Sequence, residues 1–238
     1  MGALEISGLR KQFGGVAALA GVDLTIVEGE ILGIVGPNGS GKTTLFNVIT
    51  GVHKPTAGTV TWRGRDMTGV PAHAVSHAGI AHTFQQAMAF PGLSVFENVQ
   101  IATEHCRSAA DFPWPTPDAL IGFVGLQGLR HETAGILPFG SLRLLGIALA
   151  LATRPALLLL DEPAAGLNDK ETTALVDLVR QLPGHGISVC VIDHDMSLMQ
   201  RLCRRLVVLD FGSKIADGPT AEVLADPKVL EVYLGGAL

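Results

Sequence analysis

The sequence predicts an α/β fold built around a parallel sheet, and three observations predict it. Short apolar runs alternate with helical segments over most of the chain. A glycine-rich loop at residues 36–44 lies between one such run and one such helix. A second run, residues 156–160, leads directly into two carboxylates, Asp161 and Glu162. Strands and helices that alternate at these lengths pair in parallel through right-handed crossovers.

The elements follow in order. Up to about residue 84, apolar runs at 4–9, 22–27, 31–35 and 59–62 read as strands, with Gly64 and Asp66 marking a turn and a helix over 43–50. From about 86 to 151 the pattern is helical and irregular. Ser94 with Glu97 three residues on is a capping box, opening a helix over 95–102. Pro113, Pro115 and Pro117 make 111–117 a linker. Helices follow over 118–124 and from about Pro138. The run at 156–160 is apolar throughout, as a strand buried on both faces should be. Asn168 with Glu171 opens a helix to about Leu182, ended by Pro183, Gly184 and Gly186. A strand at 187–192, a helix at 195–202 and a strand at 206–209 complete the alternation.

Composition narrows the function classes. The 238 residues suit one domain or one domain with an insertion. Hydrophobic residues make up 47% and mean hydropathy is +0.38, so a membrane span must be tested for. The most apolar stretch, 144–160, is cut by Thr153, Arg154 and Pro155, and neither half nears the ~20 residues a span needs. No charged leader precedes an apolar core at the start, so a cytosolic chain is expected, reaching a membrane only through a partner. Net charge is −5 with scattered Lys and Arg, which argues against a nucleic-acid partner. Cys106, Cys190 and Cys203 lack metal or redox spacing and read as small buried apolar residues in a reducing compartment.

Gly36, Pro37, Asn38, Gly39, Ser40, Gly41, Lys42, Thr43 and Thr44 satisfy G-x-x-x-x-G-K-[ST] after a strand and at the start of a helix. Gly39 and Gly41 let the backbone curl round an anion and turn its N–H groups inward. The helix N-terminus adds partial positive charge. Lys42 is expected to reach the β- and γ-phosphates of ATP, Thr43 to ligate Mg²⁺, and Thr44 to bond an α-phosphate oxygen. Ligands of open α/β sheets bind at the carboxyl ends of the strands. Asp161 is therefore expected on the Mg²⁺ and Glu162 on the attacking water as general base, the two acids facing opposite sides of the strand.

With these residues in place, the sequence resembles the ATP-binding subunits of ATP-binding-cassette (ABC) transporters over almost its whole length. The resemblance implies a P-loop NTPase of the ABC ATPase fold: a RecA-like core with an antiparallel β part over 1–85 and 152–238, and an inserted helical subdomain over 86–151. Gln85, in Thr83-Phe84-Gln85, matches the family's Q-loop, which contacts Mg²⁺ or water and senses the membrane partner. Ala164 to Asn168 look like the D-loop that touches the opposite protomer. His194 matches the switch histidine at the γ-phosphate. Phe13, with Val16 beside it, looks like the aromatic that stacks on adenine. Thr83-Phe84-Gln85 with residues 90–95, residues 161–168, residues 192–196 and the tail from Asp226 resemble more closely the importers of branched-chain amino acids and related amides or urea. Implied partners are a homologous ATPase subunit, two permease subunits and, indirectly, a solute-binding protein, with the chain peripheral on the inner face of the cell membrane.

The family signature, usually Leu-Ser-Gly-Gly-Gln, reads here Leu137, Pro138, Phe139, Gly140 and Ser141. Pro138 removes a hydroxyl and a backbone N–H from the donors offered to the other subunit's γ-phosphate. Gly146 and Leu149 stand where the family often has an acid and an arginine. The resemblance therefore leaves room for two alternatives to a transport ATPase. One is a degenerate regulatory half of a heterodimer, and the other a soluble cassette ATPase without a transport role.

Overall fold

The structure is a computed structural model that describes residues 3–83, 88–104 and 112–234. Phe84, Gln85 and Cys106 lie outside the described residues. The chain opens with β1 (Leu4–Phe13), β2 (Val16–Ile26) and β3 (Ile31–Val35), then α1 (Lys42–Ile49). β4 (Ala57–Trp62), β5 (Arg65–Asp66), α2 (Ala72–His77) and β6 (Ile80–Thr83) follow. A helical stretch holds α3 (Val95–Glu104), α4 (Pro117–Phe123) and α5 (Phe139–Ala152). The alternation resumes with β7 (Leu157–Asp161), α6 (Asp169–Gln181), β8 (Ser188–Ile192) and α7 (Met196–Leu202). It ends with β9 (Arg205–Asp210), β10 (Ser213–Pro219), α8 (Thr220–Ala225) and α9 (Pro227–Leu234).

Two sheets result. A six-stranded sheet has the order β10-β9-β3-β8-β7-β6, parallel except for the β10 edge. A four-stranded antiparallel sheet has the order β2-β1-β4-β5. Strand alternation sends β7 into two cores at once. Leu157 and Leu159 pack with Phe46 of α1 and the inward residues of the antiparallel sheet, including Leu4, Leu24 and Val60. Leu158 and Leu160 pack with Leu145, Ile147 and Leu151 of α5 and with Leu175 and Val179 of α6. All five residues of β7 are buried, which explains its unbroken apolar run.

Local signals set the boundaries. Ser94 and Glu97 form the expected capping box: the Ser94 N–H donates to Glu97 Oε2 at 2.8 Å, and the Glu97 N–H to Ser94 Oγ at 3.2 Å. Asn168 and Glu171 form another at α6. Pro117 does not belong to a linker. It starts α4 behind the Thr116 cap, where its missing N–H has no helical partner to lose. Pro138 is the N-cap of α5, one position before the helix proper. β1 and β2 run longer than the apolar pattern implies and meet at Phe13 opposite Val16.

Candidate functional site

Three parallel strands, β3, β7 and β8, deliver the candidate residues to one edge of the sheet. Behind β3 the glycine loop turns back on itself. Gly36 has φ 153° and packs so tightly that a Cβ there would lie 2.1 Å from the Leu209 carbonyl oxygen. Gly41 caps α1 at φ 103°, where a Cβ would meet the Ala18 carbonyl at 2.5 Å. The Gly212 N–H, from the β9–β10 turn, donates to the Ser40 carbonyl at 3.0 Å. Lys42 is buried and folds into the loop. Its Nζ donates to the carbonyls of Gly36 at 2.7 Å and Pro37 at 2.9 Å, and to Ser40 Oγ at 3.4 Å. Burial lowers the Lys42 pKa, and the charges of Glu162 and Asp161 oppose that shift. Thr43 is exposed, while Thr44 is half-buried at the same helix start.

Asp161 ends β7. Burial raises its pKa to about 6, and repulsion from Glu162 adds to the shift while Lys42 and Arg143 oppose it. Its Oδ1 is shut off from water and makes no hydrogen bond. An orphaned carboxylate oxygen in the field of Lys42, with Thr43 exposed at the start of α1, offers hard oxygen donors, which fits Mg²⁺. No group of three or more His, Cys, Asp or Glu suited to a metal exists among the described residues. A divalent cation here would therefore take its remaining ligands from phosphate oxygens and water.

Glu162 corrects the expectation that the two acids share a strand. The strand stops at Asp161, and Glu162 takes φ 46°, a left-handed conformation that costs a non-glycine residue about 1 kcal/mol or more. Its N–H bonds the Ile192 carbonyl at 2.8 Å, so the turn is clamped to the end of β8. His194 follows β8, its Nδ1 lying 3.7 Å from Glu162 Oε1 and 3.7 Å from Asp193 Oδ1. Asp193 is buried and receives the N–H groups of His194 at 2.8 Å and Asp195 at 3.0 Å. It fixes the turn that presents His194.

Two residues here have no counterpart among the expected site residues. Asp193 is one. Arg143 is the other, a buried arginine one turn into α5. Its Nη2 reaches the Ala165 carbonyl at 3.5 Å and its guanidinium lies 5.5 Å from the Phe139 ring. Burial lowers its pKa, while Asp193, Glu162 and Asp161 hold it up, so it supplies positive field to all three acids. The sequence signal was an arginine inside an otherwise apolar helix.

Other expected residues are placed as follows. The structure gathers residues 36–44, Asp161, Glu162 and His194 into one group. The signature segment is anchored elsewhere: a Cβ on Gly140 would meet Glu171 Oε1 at 2.3 Å, and one on Gly166 would meet the Phe139 ring at 2.9 Å. Phe13 and Val16 are not core residues; they are 44% and 69% exposed at the tip of the β1–β2 hairpin. The strand behind that tip brings Ala18 against Gly41. Phe13 stacks edge-on with His53 at 5.2 Å and beneath Lys11 Nζ at 4.8 Å. Gly146 and Leu149 line an apolar cleft of about 280 Å³ with Val52, Ile80, His82 and Met88. Burial in that wall pushes His82 down to about 4. Cys190 and Cys203 are buried and free, as expected. Among the described residues no helix is long and apolar enough to cross a membrane.

A family model described as "ABC transporter" matches residues 19–165, and one described as "Branched-chain amino acid ATP-binding cassette transporter" matches residues 213–238. The chain is 37% identical to the high-affinity branched-chain amino acid transport ATP-binding protein BraF of Pseudomonas aeruginosa, over 98% of each chain. It is 35% identical to LivG of Escherichia coli K12, again over 98% of each. Among solved structures, MJ1267, an ATP-binding cassette in its ADP conformation, matches with TM-score 0.88 and 31% identity over 99% of each chain. A dimeric cassette, MJ0796, matches with TM-score 0.79 and 26% identity over 91% of this chain and 98% of that one.

Proposed function

The chain belongs to the ABC transporter family of ATP-binding cassettes, and on that premise we propose that it is the ATP-hydrolysing subunit of an importer for branched-chain amino acids or related amides. One observation supports the catalytic part most directly. Lys42, Asp161, Glu162 and His194 meet at the carboxyl edge of one parallel sheet, with a buried Asp161 oxygen that has no hydrogen bond.

Each residue then has a task. Lys42 turns from the Gly36 and Pro37 carbonyls to the β- and γ-phosphates. Thr43 and Asp161 would hold the metal, a role the family resemblance also implies for Gln85. A Mg²⁺ held there would supply positive charge against the negative charge of the phosphates. Glu162 takes the proton of the attacking water, its carboxylate aimed by the clamped left-handed turn. His194 holds the γ-phosphate beside it. Phe13 and Val16 offer an exposed apolar face to adenine.

The chain works as a head-to-tail pair with a homologous subunit; the related cassette MJ0796 is dimeric. Residues Leu137 to Ser141 then serve the partner's nucleotide, while the D-loop that Phe139 packs on meets the partner. Helices α3, α4 and α5 act as one helical unit, and the apolar cleft between α5 and the β6 side seats a permease subunit. That contact holds the chain on the cytoplasmic face of the membrane, with a solute-binding protein beyond and no nucleic acid involved.

Replacing Glu162→Gln in the full-length chain tests the base assignment. Turnover should fall by two or more orders of magnitude while ATP holds a stable dimer in size-exclusion chromatography. Undiminished turnover would remove Glu162 from the mechanism. With the permease and binding protein reconstituted, leucine, isoleucine or valine should accelerate turnover. Acceleration by unrelated solutes alone would overturn the substrate class.

The signature favours a second reading of the assembly. Pro138 caps α5 without an N–H to offer, and loss of one such donor at a reacting phosphate costs on the order of 10²–10³ in rate. In a heterodimer this chain would slow only the partner's site. Full turnover by the chain purified alone as a homodimer would exclude that asymmetry.

A further inference from the structure

A further cleft lies at the end of the parallel sheet away from the phosphate loop. The loop follows Val35, the last residue of β3, whereas Glu30 and Ile31, where that strand begins, line a cleft of about 630 Å³. Arg180 from the last turn of α6, Arg201 from the last turn of α7 and Arg204 from the link to β9 line it too. A volume of this order suits a small-molecule ligand. None of the residues given a task at the nucleotide belongs to this wall.

Positive charge gathers here in a chain whose net charge is −5. The one carboxylate in the wall, Glu30, is already matched: it receives Arg205 Nη1 at 3.2 Å and the Val27 N–H at 2.9 Å. Arg205 is in turn forked onto Asp217 at 2.8 and 3.0 Å. Among the described residues no carboxylate pairs with Arg180, Arg201 or Arg204. Two of the three guanidinium groups are nonetheless held in place. Arg180 Nη2 donates to the Arg201 carbonyl, and Arg201 Nη2 to Thr173 Oγ1 at 3.0 Å. A guanidinium carries five N–H donors, so these bonds leave each group with donors for a ligand. Helix dipoles favour a cation in each last turn, but they call for neither three guanidinium groups in one cleft nor the lack of a carboxylate among them. Such forks bind phosphate oxygens in pairs.

We propose that this cleft is a second anion site, taking a small molecule that carries two or more phosphate groups and spans Arg180, Arg201 and Arg204. It is separate from the nucleotide site and does not depend on Lys42.

The test titrates pyrophosphate calorimetrically into the full-length chain carrying Lys42→Ala, which suppresses binding at the phosphate loop. A saturable site is expected, weakened about 10-fold or more when Arg204→Glu is added. Arg204 is exposed, so the reversal should leave the fold intact, and Arg204→Ala replaces it if the melting temperature falls. Arg65→Glu, on the exposed β5 of the antiparallel sheet, alters net charge equally and should leave the site unchanged. Absence of a saturable site overturns the proposal, and so does one that Arg204→Glu leaves as tight as before. Equal weakening by Arg65→Glu would reduce the effect to overall charge and overturn it as well. Inorganic phosphate should bind several-fold more weakly than pyrophosphate, and equal affinity would refute the requirement for more than one phosphate. Binding to phosphatidylglycerol vesicles that depends on Arg204, with none to pyrophosphate, would assign the cleft to a lipid surface instead.

Discussion

Asp161 sits where its charge is unwelcome. Its carboxyl holds a proton more tightly when folded, at about 6, than the ordinary 3.8 of an exposed aspartate. The sign follows: ionised Asp161 destabilises the fold, the penalty is absent below about 3.8, and it is complete above about 6. Asp161→Asn should therefore raise the melting temperature at pH 7 and leave it nearly unchanged at pH 4, while turnover is lost. An equal gain at both pH values would show that the ionised carboxylate is not strained. On the proposed function, a divalent cation at that atom would relieve the penalty. Arg143 adds a second residue-scale expectation. Its field holds the Asp161 pKa down, so Arg143→Leu should move the acid limb of the pH–rate profile upward. A limb that stays in place would mean that this guanidinium serves the D-loop alone.

At the scale of elements, caps and breakers were the most readable features. Ser94 with Glu97 and Asn168 with Glu171 declare their helices in sequence, and both boxes form. Asn168→Ala should cost about 1 kcal/mol by chemical denaturation, within a range of roughly 0.5–2. A change near zero would mean that packing against Phe139 and Gly166 alone holds the start of α6. The strands β3, β7, β8 and β9 were legible because burial on both faces leaves an unbroken apolar run. β6 and β10 escaped for opposite reasons. β6 has four residues and carries His82, whose imidazole is tolerated there against the Phe46 ring at 5.5 Å. β10 is an edge strand with mixed exposure and no clean alternation. In the site, Lys42, Asp161 and Glu162 were readable from spacing. Arg143 was not, because Ala165 and the acids it faces lie far along the chain, and Asp193 was not, because its bonds go to the amides of its own turn.

At the scale of the molecule, one parallel sheet separates two hydrophobic cores and belongs to both. The antiparallel sheet, α1 and α2 lie on one side, and the remaining helices on the other. The phosphate loop, the carboxylates and His194 all leave that sheet at one edge, so their spacing is set by strand registers rather than by loops. Asp161 stands opposite Ile192, and Leu160 opposite Val191, in the β7–β8 ladder. This register places Asp161 and Glu162 next to the turn that carries His194. Chemistry that must be aligned across a partner can tolerate little slack within each subunit.

The five buried residues of β7 have one more consequence. Leu157 to Leu160 pair with β6 on one flank and all five residues pair with β8 on the other, with side chains sealed above and below. Amides in such a strand exchange with deuterium only when the entire molecule opens. The last protons to exchange should therefore belong to the strand that ends in Asp161. Heating would then abolish nucleotide binding at the temperature where the protein melts, with no earlier softening of the site. Loss of binding well below that temperature would show that the strand's persistence does not reach its final residue.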